Sequence, residues 1–434
     1  MLFKSVPPRA EHFLLVLFAL LAAPKADAKV VGGAFLQGTT LEDGTNSLKI
    51  TAHKAIKWSS ASLDSGVFTH STANPTRLTI KEEGDYFIAF TAPLIEGTGI
   101  NGGIRSSQEF VVFKNGEEVP EGTGSSTYLR HTSGHAESSG HVHFLLTGVE
   151  SDDYVEVRTK RTTTNMTNDT LMQTTSLYVE KIDADRVVFS GTATRTVAGT
   201  NLNGNASPLQ WTAGRKDDGF THNSHETTLD TDGMYLVFAN IPLKGASVRG
   251  SVALEVKLDG ERIPGGLAQQ GYIRNADGGT EASVHWAGLV LAMEGQKLTI
   301  DTLMKGGGGT ITVPQGNTAS IFIEKLADPT DLFNASATQV GNNADNWTPG
   351  AKTHIQWRPT PAIDENVYTH LADAGSNKIM IKKAGDYLLL YNDALKDGSA
   401  RNNPRITVQV NDEDVAGAES KSHYNRRTSG HDES

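Results

Sequence analysis

VVFKNGEEV, residues 111–119, is the stretch on which the fold turns. Apolar residues alternate into it, with Phe110 and Val112 before the dipeptide Asn115-Gly116. A two-residue type I′ turn needs positive φ at both central positions, which Asn and Gly tolerate, so the stretch predicts a β-hairpin. The same signal recurs as Asp259-Gly260 after Leu254, Val256 and Leu258, and a third time as Asn411-Asp412. Twelve residues beyond the second turn residue stands Tyr128, Tyr272 or Tyr424.

Working outward from the hairpins, an internal repeat with a period near 150 residues emerges. Trp58, Trp211 and Trp357 are each followed by an aromatic-Thr-His triplet: Phe68-Thr69-His70, Phe220-Thr221-His222 and Tyr368-Thr369-His370. Next come Gly84-Asp85-Tyr86, Gly233-Met234-Tyr235 and Gly385-Asp386-Tyr387, each opening an apolar run. Short runs rich in Val, Ile, Tyr, Phe and Thr lie between Gly, Asn, Ser and Asp clusters, and no sustained 3.6-residue apolar period follows residue 28. The pattern predicts an all-β chain of tandem antiparallel jelly-roll sandwiches, three copies of about eight strands each. The expected division is 1–28, 29–183, 184–328 and 329–434. Counterparts of His141 to Leu146, Asp153 to Arg158 and Ser176 to Ile182 are missing before Ser434, so the third unit is expected to be incomplete at its C-terminus.

The first of these segments carries Lys4 and Arg9, an apolar run from Phe13 to Ala23, and Ala26-Asp27-Ala28. That is the layout of a secretory signal peptide, and its apolar run is too short to span a bilayer. The mature chain is therefore expected to be secreted and to lack a transmembrane segment. The chain has no Cys, so each unit must be held by an apolar core and not by disulfides. A net charge of -11 disfavours a nucleic-acid partner, because phosphate binding rests on clustered Lys and Arg. N-x-S/T sequons make Asn165, Asn168, Asn205, Asn334 and Asn346 glycosylation candidates.

LDSGVFTH (63–70), EEGDYFIAF (82–90), VVFKNGEEV (111–119), LLTGVESDDYVEV (145–157) and SLYVEKI (176–182) together resemble the jelly roll of the tumour necrosis factor superfamily and the globular heads of complement-type collagenous proteins. The second copy repeats the pattern more loosely as TDGMYLVFA (231–239), LEVKLDGERI (254–263) and SIFIEKL (320–326). The resemblance implies an extracellular binding protein and assembly as a trimer through sandwich faces. A collagen-like stalk is absent here and the units are fused, so an intramolecular pseudo-trimer is one expectation and beads on a string its alternative.

YLRHTSGHAESSGH (128–141) has the composition of a metal site or a charge relay. Laid against the second copy, Arg130, Glu137, Ser139 and His141 match Arg274, Glu281, Ser283 and His285, while Arg426 and Glu433 are the third copy's counterparts. His143 falls opposite Ala287, so most of the histidines are not shared. Glu137, Ser139 and His141 at i, i+2 and i+4 project from one strand face about 6.5 to 7 Å apart, too far for a Ser-base pair. These residues are the ligand or interaction candidates, read either as a polar ladder with Arg130 paired to Glu137 or as a group that recognises a sugar, a carboxylate or the adjacent unit. Weak metal candidates are His141 and His143, sharing a strand face, and His70, His222 and His370, should they converge on a threefold axis; calcium or zinc would be the ion.

The functional expectation is a non-enzymatic secreted module that recognises an extracellular protein or glycan, or associates with itself through jelly-roll faces. The alternatives are a metal-dependent extracellular enzyme using the Arg/Glu/His group and a self-assembling coat or filament subunit. An enzyme needs the group in a concave pocket, whereas a structural role needs it locked between units.

Overall fold

The computed structural model describes residues 17–20, 32–97, 105–130, 135–162, 170–202, 204–245, 249–274, 278–305, 309–316, 318–327, 332–340, 352–370, 377–385, 387–391, 395, 403–422 and 425. Every regular element among them is a β-strand, and every pairing between strands is antiparallel. In the first stretch β1 (Gly33–Gly38), β2 (Gly84–Glu96), β3 (Gln108–Lys114), β4 (Glu117–Ser125), β5 (Glu137–Val149), β6 (Tyr154–Arg161) and β7 (Thr175–Ile182) build two sheets. One sheet runs β5-β2-β7-β1, and the other contains β4-β3-β6.

The second stretch holds β8 (Val187–Thr196), β9 (Gly233–Gly245), β10 (Gly250–Leu258), β11 (Glu261–Ile273), β12 (Glu281–Ala292), β13 (Gln296–Lys305) and β14 (Ala319–Lys325). Its pairings repeat the first: β12-β9-β14-β8 on one side and β11-β10-β13 on the other, joined through Ser207–Lys216. Of the third stretch, β15 (Leu388–Tyr391), β16 (Arg405–Val410) and β17 (Glu413–Lys421) matter most below. Leu17–Leu20, within the expected leader, pairs with β15 from Leu17 against Tyr391 to Leu20 against Leu388.

The hairpin dipeptides adopt the backbone that their residue types predict. Asn115 and Gly116 have φ of 53° and 88°, Asp259 and Gly260 49° and 84°, and Asn411 and Asp412 53° and 67°. These are type I′ geometries, whose twist matches that of the flanking strands. The recurrent Gly-x-Tyr also has a structural cause. The Tyr86 hydroxyl donates to the Glu82 carbonyl, Tyr235 to Thr231 and Tyr387 to Lys383, each at 2.6 Å and each four residues back. The bond pins the turn that feeds the central strand, in the manner of a tyrosine corner. Tyr235→Phe is expected to lower unfolding free energy by about 1 kcal/mol with the urea m-value unchanged, measured by equilibrium denaturation.

Period-two alternation assigns each strand face. On β2, Tyr86, Ile88, Phe90, Ala92 and Leu94 point into the first sandwich with Trp58, Phe68, Phe110, Val142 and Phe144. The alternation continues through Leu94, and the strand reaches Glu96. Trp211, Phe189, Phe220, Tyr235 and Val237 fill the second sandwich. Trp357 packs edge-on against Tyr391, ring centroids 5.5 Å apart, beside Ile406.

Over most of their length the opposite faces of β2 and β5 do not meet water. Phe87, Ala89 and Leu145 belong to the second sandwich's apolar cluster, and Leu390 of β15 packs against it. Phe87 lies 4.6 Å from Phe238 and 5.0 Å from Phe322, centroid to centroid. At the junction Arg186 holds carboxylates from both sides, Glu180 at 2.7 Å and Glu324 at 2.6 Å. Arg215 reaches back to Asp85 at 3.2 Å. The described residues contain no helix long and apolar enough to cross a membrane, which leaves strands untested.

Candidate functional site

The period-two alternation of a strand puts Glu137, Ser139, His141, His143 and Leu145 on the face of β5 that turns away from its own core. Their intervening neighbours Val142, Phe144 and Leu146 point into the sandwich. On β12 the same rule turns Glu281, Ser283, His285 and Ala287 outward while Val284 and Trp286 point in. Both outward faces are covered by strands from elsewhere in the chain.

The two coverings share one register. The backbone N–H of Ser125, at the end of β4, donates to Ser283 Oγ at 2.8 Å. The backbone N–H of Lys421, at the end of β17, donates to Ser139 Oγ at 2.9 Å. Ser125 and Lys421 each lie three residues before the tyrosine that follows a hairpin, Tyr128 and Tyr424, and Ser283 and Ser139 are the matched serines of their strands. The third stretch thus docks its hairpin strand on the first sandwich in the way the first docks its own on the second. Accessory bonds follow the same seams: Asn240 Nδ2 donates to the Thr123 carbonyl at 2.9 Å, Ser320 Oγ to the His143 carbonyl at 3.0 Å, and Gln37 Nε2 to the Ala416 carbonyl.

Between the seams lie three buried imidazoles. The ring of His285 sits 5.3 Å from that of His141 and 5.5 Å from that of His143, edge to face in both cases. His141 Nδ1 is 3.1 Å from Thr91 Oγ1 and its Nε2 is 3.4 Å from Ser420 Oγ, while His143 Nε2 donates to the Ala239 carbonyl at 2.9 Å. Burial, reinforced by the neighbouring His143, pushes His141 down to about 3. Burial takes His143 down to about 4, although the carbonyls of Ala239 and Trp286 favour its charged form. His285 is driven well below the usual histidine range, first by burial and then by His141 and His143.

The polar ladder differs from its sequence expectation in one respect: Arg130 is not paired with Glu137. Its backbone N–H closes a loop onto the His135 carbonyl at 2.9 Å, as that of Arg274 does onto Gly279 at 2.7 Å. Glu137 instead meets Arg405 at 3.3 Å and the buried Lys421 at 3.6 Å. Lys421 also faces Glu419 at 3.3 Å and Gln173, and burial lowers its proton affinity against the pull of both carboxylates. Glu281 pairs within its own unit, with Lys244 at 2.8 Å. A guanidinium two bends away in sequence loses to a cation delivered by tertiary docking.

His70, His222 and His370 sit on separate hairpins and bond locally. His70 Nδ1 faces the Arg77 carbonyl at 2.9 Å, and His222 bridges Thr227 Oγ1 and the Trp211 carbonyl, both at 3.1 Å. The His370 ring lies 5.8 Å from that of Phe333, tilted by 51°. Among the described residues no three His, Cys, Asp or Glu side chains are arranged to hold a metal ion. Arg426, Glu433, Asn165, Asn168 and Asn346 lie outside the described residues; Asn205 is exposed and Asn334 half-buried.

A cleft of about 410 Å³ lies on the other sheet of the second sandwich, lined by Pro208, His225, Glu226, Lys257, Asp259 and Lys297 among others. None of the Glu/Ser/His group lines it. Its lysines are already engaged, Lys297 with Glu226 at 2.9 Å and Lys257 with Asp301 at 2.8 Å. Sequence reasoning missed the covering partners Thr91, Asn240, Ser125, Ser420 and Lys421. The available signal was a strand polar on one face and apolar on the other, which needs a polar cover as well as a core.

No protein-family model and no curated protein matches the chain. Solved structures similar to it include crystal structures of murine APRIL at pH 5.0, 8.0 and 8.5. Each is 12% identical, and the match covers 33% of this chain and 100% of that one. The TM-scores are 0.24, 0.24 and 0.25, a likeness too slight to assign this chain a fold or a function.

Proposed function

We propose that this is a secreted, non-enzymatic binding or structural protein in which three jelly-roll units, divided near residues 183 and 328, assemble head to tail as an intramolecular pseudo-trimer. The Glu/Ser/His strands of the first two units are the faces on which the hairpin strand of a neighbour docks. One observation carries this reading: Ser125 on Ser283 and Lys421 on Ser139 are the same contact, made twice in the same register. A repeated heterologous contact closes into a ring when its rotation permits, and the apolar seam of Phe87, Phe238 and Leu390 fits that closure. The group is then scaffold, and recognition of an extracellular protein or glycan falls to the outward surfaces and loops.

Ser139→Trp and Ser283→Trp would each put an indole where the facing backbone sits. Small-angle scattering of the whole chain is expected to give a larger radius of gyration for each variant, with faster proteolysis between residues 183 and 186 for the second. Circular dichroism should retain the β signal. Unchanged scattering from both folded variants would sink the docking role.

A further inference from the structure

We propose that His141, His143 and His285 form an acid-sensitive latch, which holds the sandwiches together at neutral pH and releases them, still folded, on acidification. This rests on the docking reading above and adds a regulation to the same seam. The geometry carries it. The rings come from two sandwiches, pack edge to face at 5.3 and 5.5 Å, and are all buried. A hydrogen-bonding arm from the third stretch, Ser420, reaches His141. Opening the seam would expose every ring without disturbing the cores, whose side chains lie on the opposite faces of β5 and β12.

The neighbours offer a protonated ring little relief. From β2 the seam presents Thr91, from β9 Asn240 and the Ala239 carbonyl, and from β14 Ser320, all neutral. On the packed strands, Glu137 of β5 and Glu419 of β17 both pair with Lys421, Glu324 of β14 pairs with Arg186, and Glu121 of β4 has its carboxyl pushed up by burial. Glu281 of β12 is paired with Lys244. The charged influences on these rings are the rings themselves: His143 on His141, and both of those on His285. A second protonation would therefore meet repulsion as well as the loss of water.

The sign follows from proton linkage. Each ring's proton affinity in the closed state lies below its solvated value near 6.5, so the closed state binds fewer protons. Its advantage is complete above pH 6.5 and is lost as pH falls toward 4 and 3. At pH 4.5 the opening equilibrium shifts by roughly 50- to 100-fold for each of His141 and His143.

The test is scattering of the full chain from pH 7.5 to 4.5, with circular dichroism in parallel, for the wild type and for His141→Gln, His285→Gln and His141→Gln/His285→Gln. The latch predicts a compact particle at pH 7.5, an expanded one with intact β signal at acid pH, and a transition displaced by at least one pH unit in the double variant. If the double variant does not fold, the single variants must each displace the midpoint by part of that amount. Acid expansion unchanged by any substitution, expansion with loss of the β signal, or compactness throughout would each overturn the latch and leave the docking intact. An extended particle already at pH 7.5 in the wild type would overturn the docking reading itself.

Discussion

Phe87→Ala is expected to remove about 3 to 5 kcal/mol, and to remove it from the coupling between sandwiches more than from the first sandwich itself. Phe87 is 2% exposed, yet its neighbours are Phe238 and Phe322 of the other sandwich and not its own core. Truncation would leave a ring-sized void in the shared cluster, which packed interiors only partly refill. Calorimetry is the measurement. Strongly coupled units melt together, and the variant should separate one transition into two. Phe110→Ala, which empties the first sandwich's own core, is the control and should lower stability without separating the transitions. If the two variants behave alike, the seam does not couple the units.

Arg186→Met is expected to cost about 3 kcal/mol by leaving the buried Glu324 and the half-buried Glu180 without their cation. Glu324 meets Arg186 Nε at 2.6 Å, and Glu180 meets its other arm at 2.7 Å, so one side chain ties both sandwiches to the four-residue junction. The Arg186 carbonyl also accepts from Arg215 at 3.2 Å. Arg186→Met/Glu324→Gln should recover part of the loss, because the more deeply buried of the two carboxylates is then neutral and only the partly exposed Glu180 keeps an uncompensated charge. Urea denaturation of the single and double variants decides the matter; equal instability in both would show that the ion pair contributes by packing alone.

Much of this architecture is legible in particular residues. Asn115-Gly116, Asp259-Gly260 and Asn411-Asp412 announce their hairpins because few residues tolerate paired positive φ, a constraint that acts within four residues. Tyr86, Tyr235 and Tyr387 mark their corners for a similar reason, since the hydroxyl reaches only its own turn. The alternation Glu137, Ser139, His141, His143 is equally local and assigns all four side chains to one face. Arg130 shows where local reading ends. It stands close to Glu137 in sequence, but the cations that reach the carboxylate are Lys421 and Arg405, the latter 268 positions away. His143 shows the complementary limit. Its counterpart Ala287 makes it look incidental, yet in a head-to-tail contact unlike positions meet, and His143 lies against His285.

The sequence by itself determined the strands, their turns and which face of each strand is apolar. Those properties follow from backbone sterics and from a side-chain period of two, both of which act over a few residues. What covers the polar face was decided only by tertiary structure. A serine hydroxyl or an imidazole can be satisfied by water, by a ligand or by a neighbouring strand, and nothing in its local sequence chooses among them. The choice falls to the apolar seam around Phe87, Phe238 and Leu390, whose burial fixes how the sandwiches meet and so places Ser125, Ser420 and Lys421 over the Glu/Ser/His strands.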